Sequence, residues 1–260
     1  MFQATGDAYD RFIGRYGPAL ADAMLETAGV EAGQRVLDVG CGPGPLAVRA
    51  AQIVGPGNVA AVDPSQPFAD ACRARIPGAD VRVAAAESLP FDDGSFDAVL
   101  AQLVVPFMTD PQQGAAEMSR VTTPGGVAAA CVWDYTGEMR LLRAFWDAAV
   151  AVDPEGAGPF DEGMSMSHSQ PGPLEQLWSE AGLADVTVSA IVVEATYDDF
   201  DDLWTPFLAG IGPAGSYTVS LEPDKQAALR ERLRAELGNP AGAFSLSARA
   251  WCVRGARMQR

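Results

Sequence analysis

Short, unbroken apolar runs recur along the first half of the chain, near 35–39, 58–62, 80–84, 97–103 and 126–133, with helical apolar spacing between them. Runs of this length predict strands buried on both faces, and their alternation with helices predicts parallel β-α-β units wound right-handedly. Leu20, Ala23, Met24 and Ala28 share one helical face and predict a helix over 18–28, ahead of the first strand. The last third breaks this rhythm. Residues 173–181 read as a helix ended by Gly182, and 186–195 and 243–254 as two strands with no crossover helix packed between them, hence antiparallel. No Ser/Gly-rich or charge-run linker divides the chain, so 1–260 reads as one α/β domain. Two excursions at about 134–170 and 198–240, rich in Asp, Gly, Pro and aromatic residues, interrupt it and read as a lid over the site.

The first strand runs into Val36-Leu37-Asp38-Val39-Gly40-Cys41-Gly42-Pro43-Gly44. Three alternating glycines after a buried strand lack the Cβ atoms that would hold a ligand off the backbone. Asp63 closes the second strand, where a carboxylate can accept both hydrogen bonds of a ribose diol. The dinucleotide spacing Gly-x-Gly-x-x-Gly is absent, because this bend is Gly-x-Gly-x-Gly with Pro43 and Pro45 interleaved. Asp38 inside the first strand would repel a phosphate but suits a ligand tail carrying an ammonium and a sulfonium. S-adenosylmethionine has that tail.

The bend closely resembles motif I of the class I S-adenosylmethionine-dependent methyltransferases, and other resemblances follow in order. Ala84 to Asp97 is similar to the third-strand end and following loop of the family's small-molecule branch, and Val121-Thr122-Thr123-Pro124-Gly125-Gly126 to the turn before its fifth strand. Together these cover roughly residues 30 to 135, and the run from Tyr9 to Tyr16 is similar to the helix that closes over the cofactor in many relatives. It implies a Rossmann-like fold: a doubly wound, seven-stranded, mostly parallel sheet with the last strand antiparallel and a helical lid. It also implies that Asp38, the backbone of the Gly40, Cys41, Gly42 and Gly44 bend, and Gln102 hold the methionine end. Asp63 followed by Pro64 would hold the ribose, the Ala86 N–H with Glu87 the adenine edge, and Arg15 or Tyr9 the cofactor carboxylate. Two departures stand out. Ala85 occupies a position where relatives often carry an aspartate for the adenine amino group, and Pro106 lies where relatives often carry a histidine.

Methyl transfer from a sulfonium needs a positioned nucleophile and a dry site more than a catalytic triad. His168, the one histidine in the chain, is the candidate general base. Trp133 and Asp134, with Trp204, Phe207 and Tyr217, are candidates to line the acceptor pocket. The four cysteines, Cys41, Cys72, Cys131 and Cys252, show no metal-type spacing, so no metal is expected. With 18 Lys plus Arg against 34 Asp plus Glu the net charge is −16, which opposes nucleic acid and anionic membrane. Residues 134–202 hold fifteen acids and only Arg140 and Arg143, so most of the excess sits in one stretch. No apolar run approaches the roughly 20 residues needed to span a bilayer, and the first residues do not read as a signal peptide. The expectation is a cytoplasmic methyltransferase acting on a small, partly apolar metabolite and releasing S-adenosylhomocysteine. A nicotinamide-dependent oxidoreductase and a non-catalytic cofactor-binding regulator are the alternatives.

Overall fold

A computed structural model describes residues 11–259. In chain order the longer elements are α1 (Gly17–Ala28), β1 (Val36–Val39), α2 (Pro45–Val54), β2 (Val59–Asp63), α3 (Gln66–Arg75), β3 (Asp80–Val83), β4 (Phe96–Gln102), α4 (Pro111–Val121) and β5 (Thr122–Trp133). They continue as α5 (Arg140–Val152), α6 (Pro171–Glu180), β6 (Leu183–Tyr197), α7 (Gly212–Ser220), α8 (Pro223–Glu236) and β7 (Phe244–Arg257). One seven-stranded sheet runs in the order β3-β2-β1-β4-β5-β7-β6. Its first five strands pair parallel, and β7 pairs antiparallel with β5, with Cys131 opposite Cys252. The parallel β-α-β units read from the apolar runs, and the doubly wound, seven-stranded sheet that the resemblance implies, are both present. Every residue of β1 and of β2 is buried, as strands covered on both faces require.

Two boundaries differ from expectation for identifiable reasons. The segment read as a turn before the fifth strand is the start of β5. Phe96 pairs with Thr122 and Ala98 with Val127, so Thr123 to Gly126 bulge out of the ladder. Pro124 has no N–H to donate and Gly125 has φ +83°, which is why the bulge falls there. At the other end, β6 and β7 are longer than the apolar alternation indicates.

The described residues fall into two compact units, one of 17–133, 167–191 and 250–259, the other of 11–16, 134–166 and 192–249. In the first, Leu37, Val39, Val62, Val99, Ala101, Met118, Val132 and Trp178 pack into one apolar core around the sheet. In the second, α5 contributes Phe145, whose ring stacks on Phe207 with centroids 4.5 Å apart, and Phe12 meets Phe207 edge-on at 4.8 Å. A buried ion pair also ties this unit together. Asp134, 2% exposed, accepts from Arg249 Nη2 at 2.7 Å and Nε at 3.0 Å, and from the Glu138 N–H at 3.0 Å. Burial alone would raise the Asp134 carboxyl, but these donors hold it below its ordinary value. Asp134, read from sequence as a candidate pocket residue, makes these contacts within the second unit. Among the described residues, no helix is long and apolar enough to cross a membrane.

Candidate functional site

The carboxyl ends of β1, β2 and β4 meet at the glycine bend, as expected of an open parallel sheet. Gly40, Gly42 and Gly44 all lie in the left-handed region, with φ of +70°, +52° and +97°. They do different work. A Cβ on Gly40 would lie 2.5 and 2.6 Å from the two Val104 methyls, and one on Gly44 would lie 2.9 Å from Cys72 Sγ. Both glycines thus let the bend sit flat against its neighbours. A Cβ on Gly42 would meet nothing within 4 Å, so this glycine leaves free space on the open side of the bend.

Two buried carboxylates flank the bend. Asp38, 1% exposed, accepts from the Ala47 N–H at 3.0 Å through Oδ2 and so satisfies one of the free amides in the first turn of α2. Its Oδ1 is sealed from solvent and has no hydrogen-bond partner among the described residues. Burial pushes this carboxyl up to about 7, the Ala47 N–H opposes the rise, and the nearby Asp63 adds to it. Asp63, 6% exposed, braces the bend: Oδ2 accepts from the Gly42 N–H at 2.9 Å and Oδ1 from the Ser65 N–H at 2.8 Å. Burial raises its pKa too, against the pull of those amides. Each Asp63 oxygen uses one lone pair in this way and keeps another for a ligand hydroxyl.

Gln102, at the end of β4, donates from Nε2 to the Gly17 carbonyl at 3.2 Å, while its Oε1 is buried and unpartnered. The next residue, Leu103, has φ +63°, a strained conformation for leucine that turns the chain sharply toward Val104. On the other flank, the Ala84 N–H donates to the Asp63 carbonyl at 3.2 Å and brings Ala86, itself buried, to the same end of the sheet. Glu87 Oε1 accepts from the Thr109 N–H at 2.7 Å and the Asp110 N–H at 3.2 Å, so this carboxylate fixes the loop ahead of α4. Cys41 is buried, and its hydrogen bond with Cys72 together with burial pushes the thiol up, so it stays protonated. Pro64 is exposed beside Asp63.

Tyr9 lies outside the described residues. Arg15 is in the second unit, its guanidinium bound in bidentate fashion by Asp202, donating to the Thr196 carbonyl at 3.1 Å and lying over the Tyr197 ring at 4.9 Å. Trp204 and Tyr217 are buried in the aromatic centre of that unit, and Trp133 is buried at the end of β5. His168 is half-buried in the loop before α6 with φ +55°, and its Nδ1 is sealed without a partner. Sequence reading missed Ala47, Leu103, Val104 and Cys72. Only the Gly40 and Gly44 positions hinted at them, since a glycine signals close approach without naming what approaches.

Residues 37–130 match the family described as "Methyltransferase domain". That stretch, from β1 into β5, thus carries a methyltransferase domain. Over 126 residues the chain is 37% identical to an uncharacterised methyltransferase of Mycobacterium tuberculosis, covering 48% of this chain and 49% of that protein. It spans less than half the length of the first curated relatives it matches. The fold is similar to that of a geranyl diphosphate C-methyltransferase from Streptomyces coelicolor, solved with S-adenosylhomocysteine, at TM-score 0.53 and 19% identity over 92% of this chain and 79% of that one. It is also similar to a [4+2]-cyclase, SpnF, at TM-score 0.57 and 18% identity, covering 93% and 81%. The methyltransferase domain, by its family match, contains the glycine bend, Asp38, Asp63, Ala86, Glu87 and Gln102.

Proposed function

We propose that this chain transfers a methyl group from S-adenosylmethionine to a small, partly apolar metabolite in the cytoplasm, leaving S-adenosylhomocysteine. The observation that carries the reading is Asp38 Oδ1, a sealed carboxylate oxygen with no partner beside a bend whose open side a Cβ on Gly42 would occupy. A buried anion without a counter-charge is costly, and a cationic ligand group relieves that cost. The residues present therefore fit this cofactor. Asp38 and Gln102 Oε1 would take the ammonium, Asp63 the ribose, and Ala86 the adenine edge, with Cys41 and Pro64 flanking. When bound, the cofactor supplies a methyl carbon made electrophilic by its sulfonium. The protein's part is to hold the acceptor in line, exclude water and receive a proton where the acceptor loses one. His168 is the group proposed for that proton, with its Nδ1 already sealed away. Residues 134–170 and 198–240 are proposed as a lid within a single catalytic domain, Trp133, Trp204 and Tyr217 as acceptor-contacting rings, and Arg15 or Tyr9 as the partner of the cofactor carboxylate.

Proton linkage tests the reading. Asp38 is raised from 3.8 to about 7, so in the ligand-free protein it keeps its proton across that window. The folded state there binds more protons than the unfolded one, and the stability Asp38 contributes is lost as pH rises through about 7. A cationic ligand favours the ionised form. Affinity for S-adenosylmethionine is therefore expected to climb by up to about tenfold per pH unit toward pH 7, with close to one proton released per molecule bound. Calorimetry in buffers of different ionisation heat measures that release, and Asp38→Asn should abolish it. Absence of any adenosyl-ligand binding would overturn the proposal, while binding without a gain of one methylene in any acceptor, read by mass spectrometry, would point to a non-catalytic role. In a working assay His168→Gln is expected to lower kcat without moving cofactor affinity; an unchanged kcat removes it from the chemistry.

A further inference from the structure

The second unit contains a buried carboxylate that cofactor binding does not use. Glu162 opens a single helical turn, Glu162–Ser165, and is 4% exposed. Its Oε2 accepts from the Trp146 indole N–H at 3.0 Å, whereas Oε1 makes no hydrogen bond to a described residue and is not sealed from solvent. Among the described residues no cation pairs with it. Arg143, the nearest candidate in sequence, is held by Asp161 at 2.8 Å and Asp147 at 3.0 Å, and Lys225 pairs with Asp153 at 3.2 Å.

A chain of ring contacts leads away from this carboxylate. Trp146, which donates to it, lies with its ring centroid 5.7 Å from that of Tyr217, and Phe160, two residues before Glu162, lies 6.0 Å from Tyr217. Phe160 is 52% exposed although it is a large apolar side chain, while Trp146 and Tyr217 beneath it are buried. A carboxylate with one oxygen anchored and one without a partner among the described residues, in a cluster of aromatic rings whose faces attract cations, has the composition of an ammonium-binding site. Burial pushes the Glu162 carboxyl up to about 7, the Trp146 N–H opposes this, and Asp161 adds to it, a balance that a bound cation would tip back toward the ionised form.

We propose that Glu162 Oε1, with the rings of Trp146, Tyr217 and Phe160, recognises the ammonium end of an aromatic amine, which makes that class of molecule the acceptor of the proposed methyl transfer. The proposal rests on the methyltransferase reading for the word acceptor, but the binding site itself does not. Glu162 is a specificity residue here, and the atom that receives the methyl group is a separate question.

The test is equilibrium binding to the full chain, followed by tryptophan fluorescence. Tyramine, tryptamine and 2-phenylethylamine are each compared with the counterpart lacking nitrogen, 4-ethylphenol, 3-ethylindole and ethylbenzene. At least one amine is expected to bind ten times or more tighter than its counterpart. Glu162→Gln should erase that preference while leaving calorimetric binding of S-adenosylhomocysteine unchanged. Phe160→Ala, at a half-exposed position, should weaken the preferred amine more than its counterpart, because only the amine gains from the ring's attraction for a cation. If no amine outbinds its counterpart, or if the preference survives Glu162→Gln, the inference is wrong. Loss of cofactor binding with amine preference intact would instead sink the methyltransferase reading and leave this site standing.

Discussion

Gly40→Ala is expected to destabilise the protein by about 2 to 5 kcal/mol, combining left-handed strain of about 1 to 2 with overpacking of about 1 to 3. The substitution adds one methyl group, but the added carbon lands 2.5 and 2.6 Å from both methyls of Val104, at a residue with φ +70°. Neither obstacle yields easily. Val104 is branched at the carbon that would have to move, and it directly follows Leu103, whose own left-handed backbone leaves little slack. Adding Val104→Ala removes the clash but not the strain, so the double variant should recover at least about 1 kcal/mol relative to additive effects. Urea unfolding measures both numbers. Wild-type stability in Gly40→Ala, or no recovery in the pair, would show that the bend does not rest on Val104.

Asp63→Ala should weaken binding of S-adenosylhomocysteine by about a hundredfold or more. Two hydrogen bonds from ribose hydroxyls to a carboxylate are together worth about 3 kcal/mol or above, and each 1.4 kcal/mol is tenfold in affinity. The loss has a second origin, because Asp63 also accepts the Gly42 and Ser65 N–H groups and its removal frees both. Asp63→Asn separates the two. It preserves the shape and one acceptor oxygen while its NH₂ faces an amide donor, so an intermediate loss of about tenfold is expected. Calorimetric titration of both variants decides, and unchanged affinity in Asp63→Ala would remove the residue from ribose recognition.

The architecture was legible because strand burial writes itself into sequence: β1 and β2 are short runs of apolar residues ended by Gly40 and Asp63, and both lie where the runs placed them. The bulge in β5 was less so, since Pro124 and Gly125 signal a broken ladder equally well in a turn and within a strand. At the site, the chemistry carried by motif residues could be read, but the partners that make the site rigid could not. Ala47 acts through a backbone amide that every residue but proline has, and Val104 through shape alone. Arg15 shows the opposite difficulty, because a guanidinium advertises anion binding without saying which anion, and Asp202 supplies one within the same unit. Glu162 was invisible for a related reason. It sits in the most acidic stretch of the chain, where a single buried carboxylate looks like any solvated neighbour.

The unequal duties of the three glycines give the bend a practical consequence for redesign. Positions 40 and 44 are locked by packing, so changes there report on folding before they report on ligand. Position 42 is the tunable one: at φ +52° it suits asparagine better than most other side chains, and whatever is installed projects into open space. An engineer seeking to shift this domain toward cofactor analogues has there a single handle that leaves the scaffold's packing undisturbed.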